Sequence, residues 1–298
     1  MNKCYKALVL FAAFLCFYGP AMAGEKVFMW KAESGGSLVY LLGSIHMADE
    51  SFYPLDPAIE SAFDESSKLV VEVDITNQDQ AALQSLVAAR GLYQGDDSLD
   101  QHISAETMQA VASYLGEMEI IMQILVKLKP WAVYLTLEQL EMEKMGLNAE
   151  YGIDLHFLNK AKKDSKPVAQ LESMEAQLNL ISGFPDKTQE GMIMMTITEA
   201  EKRAESLGSV ISAWKNGNAS EMEEILFASL EQEPELAPVY EKMFFERNEA
   251  MAEKIAGLAR HGRPLFVVVG AGHLLGERGV AQILERKDFK ITQVHSGK

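Results

Sequence analysis

The sequence predicts an α/β fold: a sheet covered by helices, with helical insertions between its strands. Short apolar runs typical of strands alternate with long segments whose apolar residues recur at helical spacing. One run, LFVVV at residues 265–269, is apolar throughout, as in strands that are buried on both faces. No Pro- or Ser-rich linker divides the chain. We therefore expect a single domain over residues 24–298.

The first 23 residues have the pattern of a secretory signal peptide. Two lysines precede an apolar run at residues 7–18, and the small residues Ala21 and Ala23 occupy the recognition positions before a cleavage site. The run is too short to span a bilayer. Both cysteines of the chain lie in this segment. We expect cleavage after Ala23, which gives a periplasmic or secreted protein without a thiol.

The charge balance excludes several classes of partner. The chain has 27 Lys and Arg against 43 Asp and Glu, a formal net charge of -16. Binding a phosphate backbone requires clustered cations, so a nucleic-acid partner is not expected. Anionic membranes are disfavoured for the same reason. We also expect no stable membrane insertion of the mature chain.

The first elements predicted are a hairpin, a helix and a third strand. Residues 27–32 and 38–42 are short apolar runs on either side of a Ser-Gly-Gly turn at 34–36. Residues 57–63 are typical of a short helix. Residues 68–74, KLVVEVD, form a β-branched run that ends in carboxylates.

Two helical insertions are predicted, at about residues 77–146 and 185–261. Their apolar residues recur at steps of three or four, and Lys129-Pro130 interrupts the first insertion. A helix that begins near Gly152 and a short strand at 167–171 separate the two. The remaining elements expected are a strand at 265–269, a helix at 274–286 and a strand at 289–294.

Two segments share a pattern in which an apolar strand is followed by glycine, two further residues and histidine. They are LLGSIH, ending at His46, and VVGAGH, ending at His273. Glycine at a strand end permits a sharp turn and close backbone approach, and ligands of open α/β sheets bind outside the carboxyl ends of strands. We expect the two histidines to share a site; the alternative is that each hydrogen-bonds a neighbouring loop.

The strand at residues 68–74 adds carboxylates to this edge. Alternate residues of a strand share a face, so Glu72 and Asp74 are predicted to point the same way. Two neutral imidazoles and a carboxylate are a common first shell for a catalytic divalent metal with one position open for water. The alternative is a solvated strand end.

Arg247 is predicted to point inward. It shares one helical stripe with Tyr240, Phe244, Met251, Ile255 and Leu258. A buried guanidinium requires a carboxylate or a bound anion as partner. We therefore expect Arg247 to reach the polar site, unless it snorkels at the edge of the stripe.

Asp154 and Glu172 lie at the starts of predicted helices. A carboxylate is favoured there as a cap or in the first turn, so we interpret both residues first as helix-capping residues. Of the histidines outside the two motifs, only His156, close to Asp154, is kept as a reserve candidate.

These segments together resemble the TraB/GumN family, which is related to the Tiki metalloproteases. The resemblance covers nearly the whole mature chain. It is carried by GSIH at 43–46, VVEVD at 70–74, YGIDLHFLNKA at 151–161, PVAQLESMEAQ at 167–177, Arg247-Asn248 and VVVGAGHLLGERGV at 267–280.

The resemblance implies an α/β fold shared with erythromycin-esterase-like (EreA-like) and haem-binding ChaN-like proteins. It also implies an active-site centre made of the two GxxH histidines and a strand-end glutamate. By position these are His46, His273 and Glu72, with Asp154 and Arg247 nearby. Tiki proteins are metal-dependent proteases that favour manganese or cobalt, whereas the esterase-like relatives use a histidine base without metal.

The leading hypothesis is an exported metal-dependent hydrolase, a peptidase, whose substrate is a peptide or a small molecule. The two GxxH histidines and Glu72 would hold a divalent cation, manganese or cobalt, with zinc and iron as further candidates. Asp74 or Asp154 would transfer protons, and Arg247 would stabilise the developing oxyanion. Two alternatives remain: a non-catalytic protein that sequesters a peptide, haem or metal, and a metal-independent esterase with a histidine base.

Overall fold

Residues 25–77, 80–116, 118–232 and 236–297 are described by a computed structural model. The predicted signal peptide at residues 1–23 lies outside the described residues. None of the described helices is both long enough and apolar enough to cross a membrane.

Strands β1 to β6 form one mixed sheet. They are β1 Lys26–Ser34, β2 Ser37–Ser44, β3 Lys68–Val71, β4 Val168–Gln170, β5 Leu265–Gly270 and β6 Lys290–His295. Their order across the sheet is β4-β3-β5-β2-β1-β6. The four strands from β4 to β2 are parallel, whereas β1 is antiparallel to both of its neighbours. The predicted α/β class is confirmed.

The hairpin between β1 and β2 depends on two glycines. Gly35 and Gly36 have φ values of 54° and 86°, and Ser34 is paired with Ser37. A two-residue turn with positive φ at both positions matches the right-handed twist of the flanking strands. Glycine takes this conformation without a steric penalty, so the predicted hairpin follows from local sequence.

Helices occupy most of the remaining described chain. They are α1 Pro57–Glu65, α2 Gln80–Gly91, α3 Ala105–Leu115, α4 Glu119–Leu125, α5 Pro130–Lys144, α6 Ile153–Lys163, α7 Met174–Ser182, α8 Asp186–Thr198, α9 Ala200–Lys215, α10 Ala219–Gln232, α11 Ala237–Tyr240, α12 Glu246–Ala259 and α13 Val280–Glu285. A π-helical turn, Glu241–Phe245, joins α11 to α12, and a 3-10 turn, Ala271–Leu274, follows β5.

Two apolar clusters organise these helices. The larger one surrounds the sheet: β5 is buried from Leu265 to Val269, and Ile255 of α12 and Phe157 of α6 pack in the same cluster. The second cluster includes Val111 of α3, Leu137 of α5 and Ile193 of α8. The first helical insertion therefore packs on α8, which belongs to the second insertion, as well as on itself.

Two predicted element boundaries are wrong. The strand expected at 68–74 ends at Val71, and the chain then turns near Asp74. The helix expected at 274–286 is the 3-10 turn followed by the short helix α13. Gly276 has a φ of 72°, and Gly279 precedes the first residue of α13. The positive φ of Gly276 and the extended backbone of Gly279 interrupt the segment, because neither conformation continues a helix.

Candidate active site

His46 and His273 follow neighbouring parallel strands. β2 ends at Ser44 and β5 ends at Gly270, and these two residues are paired across the sheet. Because the carboxyl ends of parallel strands lie at the same edge, both GxxH motifs leave the sheet side by side. The two histidines are far apart in the sequence, but they lie close together in space.

Gly270 is the point at which the three predicted residues come together. A methyl group added there would lie 3.3 Å from Glu72 Oε1, 3.4 Å from His46 Nε2 and 3.5 Å from the His273 ring. The Gly270 N–H donates a 2.6 Å hydrogen bond to Glu72 Oε1. The lack of a side chain at position 270 thus leaves space that the two imidazoles and the carboxylate face.

His46 is oriented by Asp154. His46 Nδ1 lies 2.8 Å from Asp154 Oδ2, and Ser44 Oγ donates to Asp154 Oδ1 at 3.0 Å. The negative charge of Asp154 raises the pKa of His46 to about 9, although partial desolvation of the ring by neighbouring atoms acts in the opposite direction. Burial raises the pKa of Asp154 by itself, but the charge of His46 and these hydrogen bonds lower it overall. The Nδ1 contact leaves His46 Nε2 facing the site.

Backbone contacts hold the His46 loop against the start of α6. The N–H of Ile153 donates to the carbonyl oxygen of Ile45 at 3.1 Å. A methyl group on Gly152 would lie 2.3 Å from the carbonyl oxygen of His46, closer than atoms can approach. Glycine at position 152 therefore allows α6 to bring Asp154 next to His46.

His273 is held by Asn248, a residue that the sequence analysis missed. His273 Nδ1 lies 2.6 Å from Asn248 Oδ1, and Asn248 Nδ2 donates to the carbonyl oxygen of Arg278. Because the amide oxygen is an acceptor, Nδ1 carries the proton and Nε2 keeps a lone pair. Burial lowers the pKa of His273 to about 4, despite the nearby charge of Glu72. The only sequence signal for Asn248 was its position next to Arg247.

Glu72 is buried and belongs to a network of charges. Arg247 Nη2 lies 2.8 Å from both Glu72 Oε2 and Glu172 Oε2, and Arg247 Nε donates to Glu172 Oε1 at 2.9 Å. Gln177 of α7 donates to both carboxylates, at 3.3 Å and 3.0 Å. Burial raises the pKa of Glu72, but the charges of His46 and Arg247 and the hydrogen bond from the Gly270 N–H lower it overall. Glu72 is therefore an anion in this setting.

A family model described as TraB/PrgY/gumN family matches residues 28–293. The chain belongs to the TraB/PrgY/gumN family. It is 30% identical over 252 residues to YbaP of Escherichia coli (strain K12), a match that covers 84% of this chain and 89% of YbaP. It is 21% identical over 285 residues to a protein of Treponema pallidum (strain Nichols), covering 90% of this chain and 83% of that protein. No solved structure matches the chain.

In this TraB/PrgY/gumN family protein, Asp154 and Glu172 do not have the capping role that the sequence predicted. No side chain caps α6, and Asp154 instead contacts His46. Ser173 caps α7, and Glu172 forms an ion pair with Arg247. In both cases a charged partner from a distant part of the chain outweighs the local preference for a cap. Capping propensity is a local property, so sequence alone could not reveal those partners.

Other predicted residues of this family protein lie outside the group around Gly270. Asp74 Oδ1 accepts hydrogen bonds from the N–H and the hydroxyl of Thr76, within the loop after β3. The prediction that Asp74 points with Glu72 relied on strand alternation, and β3 ends at Val71 before it reaches either residue. His156, the reserve candidate, lies 3.1 Å from Glu60 Oε1 on α1.

Asp154→Asn is expected to lower the pKa of His46 in metal-free protein from about 9 towards its ordinary value, because the negative charge that is the largest cause of the raised pKa is removed. Because the pKa of His46 is higher in the folded state than in the unfolded state, protonation of His46 stabilises the folded state. This stabilisation is full at pH values below the unfolded-state pKa and is lost as the pH rises through about 9. The free energies of unfolding of the wild type and the variant should therefore converge above that pH. NMR titration of the imidazole and urea unfolding measure both effects; an unchanged His46 titration would contradict the assignment.

Proposed function

We propose that this protein is an exported metal-dependent hydrolase that cleaves peptides at the edge of the sheet beside Gly270. The observation that best supports the proposal is the convergence of His46 Nε2, Glu72 Oε1 and the His273 ring at Gly270. Export is proposed from the signal-peptide pattern of residues 1–23.

The donor types at this edge fit a divalent cation. A side-chain oxygen contacts Nδ1 of both His46 and His273. Metal-binding histidines usually have such a partner, because it fixes the orientation of the ring. His273 Nε2 lies 3.8 Å from Glu72 Oε1. Within the described residues, no three His, Cys, Asp or Glu side chains already stand at metal-binding spacing. Binding of a cation therefore requires these three donors to move closer together.

His46, His273 and Glu72 would hold the cation, with manganese or cobalt as the first candidates. A divalent cation there supplies Lewis-acid activation of a peptide carbonyl and of water. Asp154 holds the imidazole of His46 in place and is the proposed site of proton transfer, since Asp74 belongs to another loop.

Arg247 keeps Glu72 charged and has one N–H group left to donate a further hydrogen bond. A guanidinium has five N–H groups. Four of them are used by Glu72, Glu172 and the carbonyl oxygen of Met243. The remaining Nη1–H is proposed to stabilise the oxyanion that develops on the scissile carbonyl.

Metal content and peptide cleavage test the proposal together. The purified protein, without a metal-binding affinity tag, is incubated with manganese, cobalt, zinc or iron, and bound metal is measured beside the His46→Ala/His273→Ala variant. Near-stoichiometric metal that is lost in the variant, with new peptide termini by mass spectrometry, supports a metallohydrolase. Absence of bound metal with every ion would overturn it. A ligand retained unchanged would indicate a binding protein.

A metal-independent hydrolase with a histidine base is the second candidate. One observation in its favour is that His273 is neutral and has a lone pair on Nε2. Another is that both oxygens of Glu72 already accept hydrogen bonds, from the Gly270 N–H and from Arg247. A neutral imidazole beside a bound ester can remove a proton from the attacking water. Hydrolysis that continues at full rate in chelator would select this candidate over the metal-dependent one.

A further inference from the structure

A cavity of about 410 Å³ opens beside the His46 loop and is separate from the group around Gly270. One of its walls includes Met47, which directly follows His46, so their Cα atoms are about 3.8 Å apart. Backbone hydrogen bonds of 3.1 Å and 2.8 Å between Ala48 and Asn148 hold this wall in place. The opposite wall is α5. The cavity is therefore adjacent to the loop that carries His46.

The cavity has an apolar interior. Leu135 and Met142 lie seven residues apart on one face of α5, and Met47 faces them from the His46 loop. All three side chains are only partly buried. Methionine is unbranched and flexible, so it adapts to an inserted chain of methylene groups. These side chains suit the stem of a long side chain rather than a polar group.

The charged residues of the cavity are acidic. Glu138 is paired with Arg203 at 2.9 Å, whereas Glu143 accepts a hydrogen bond from Gln139. In the described part of the chain, no Lys or Arg lies within ion-pair distance of Glu143. Among the described residues, none of those that line the cavity is cationic. Glu143, which is exposed, therefore complements a cation at the rim of the cavity, and the apolar interior complements a hydrophobic stem.

We propose that this cavity binds an arginine or lysine side chain of the substrate, adjacent to the bond that is cleaved. The proposal rests on the proposed hydrolase function for its position in the reaction. The methylene stem packs on Met47, Leu135 and Met142, and the charged end approaches Glu143. The substrate class is thus a peptide with a basic residue beside the scissile bond.

The test uses peptides that differ at one position. Arginine, citrulline, norleucine and glutamate are placed in turn at each position of a fluorogenic peptide, and cleavage rates are measured with the wild type. Citrulline keeps the shape of arginine without its charge, and norleucine keeps only the apolar stem. Binding of the same peptides to the His46→Ala/His273→Ala variant is measured by fluorescence anisotropy, so that recognition is recorded separately from cleavage.

At one position of the peptide, the cleavage rate with arginine is expected to exceed the rate with citrulline by about fivefold, as for a partly exposed ion pair. Glu143→Gln should reduce this ratio to about one, whereas Glu205→Gln, at an exposed glutamate of α9, should leave it unchanged. Ala149→Phe, at a small exposed residue that lines the cavity, should remove the preference by filling the space. Thermal unfolding confirms that each variant is folded.

Three results would overturn the inference. The first is a cleavage rate with norleucine equal to that with arginine at every position, and the second is an arginine-to-citrulline rate ratio that Glu143→Gln does not change. The third is no difference in cleavage rate among the four peptides at any position. Cleavage without a basic preference would leave the hydrolase proposal standing and remove the inference. Anisotropy that shows a Glu143-dependent preference for arginine, with no peptide cleaved, would support the cavity and remove the hydrolase.

Discussion

His46→Ala is expected to lower peptide hydrolysis by more than about 100-fold, because loss of a residue that only supports a metal ligand already costs about 10–100-fold and His46 is itself a proposed ligand. His46 Nε2 faces the space beside Gly270, where it lies 3.4 Å from the position of an added methyl group. The variant should remain folded, because the His46 side chain is 62% exposed and contributes little packing. Asp154 also keeps its hydrogen bond from Ser44.

His156→Ala is the matched control for this variant. His156 is likewise a histidine paired with a carboxylate, Glu60, but it lies outside the group around Gly270. Rates are measured at saturating metal, with urea unfolding of both variants at the same pH. A full rate in His46→Ala, or an equal loss in the two variants, would remove His46 from the site.

Arg247→Ala is expected to reduce the free energy of unfolding by about 3–5 kcal/mol at pH 7, the range for loss of one partner from a buried ion pair. The side chains of Arg247, Glu72 and Glu172 are 15%, 6% and 14% exposed. Without the guanidinium, two carboxylates stay buried beside each other. Urea unfolding measures the change, and the loss should shrink as the pH falls, because protonation removes the buried charge.

Arg278→Ala is the control for charge loss at the surface. Arg278 also contacts both oxygens of a glutamate, Glu241, but both side chains are more than two-fifths exposed. Little change in stability is expected from it. Glu72→Gln/Glu172→Gln in the Arg247→Ala background should restore part of the lost stability. If the triple variant is as unstable as Arg247→Ala, repulsion between the buried carboxylates is not the cause.

The position of the two histidines could be predicted because it depends on strand direction. Parallel strands end at one edge, so a repeated strand-Gly-x-x-His pattern predicts adjacency whatever the sequence separation. The inward orientation of Arg247 followed from the helical period in the same way. Periodicity and strand direction are properties of short segments, and they can be read without knowing the tertiary contacts.

The residues that support the site could not be predicted in this way. Asn248 and Gln177 are polar residues of helices, and nothing local distinguishes them from solvated positions. Asp154 was first interpreted as a cap, because its partner His46 lies 108 residues away. The prediction for Asp74 relied on the alternation of a strand, which continues only as far as the strand does, and β3 ends at Val71.

The order of the strands has a consequence for the timing of synthesis. β5 lies between β3 and β2, yet it begins at Leu265, after most of the chain has emerged. Until then β2 and β3 have no common neighbour, and the edge that carries His46 and Glu72 cannot close. A nascent chain therefore lacks the assembled group of Glu72, His46 and His273 while β5 is still missing. This group can form only once the chain has been made as far as residue 273.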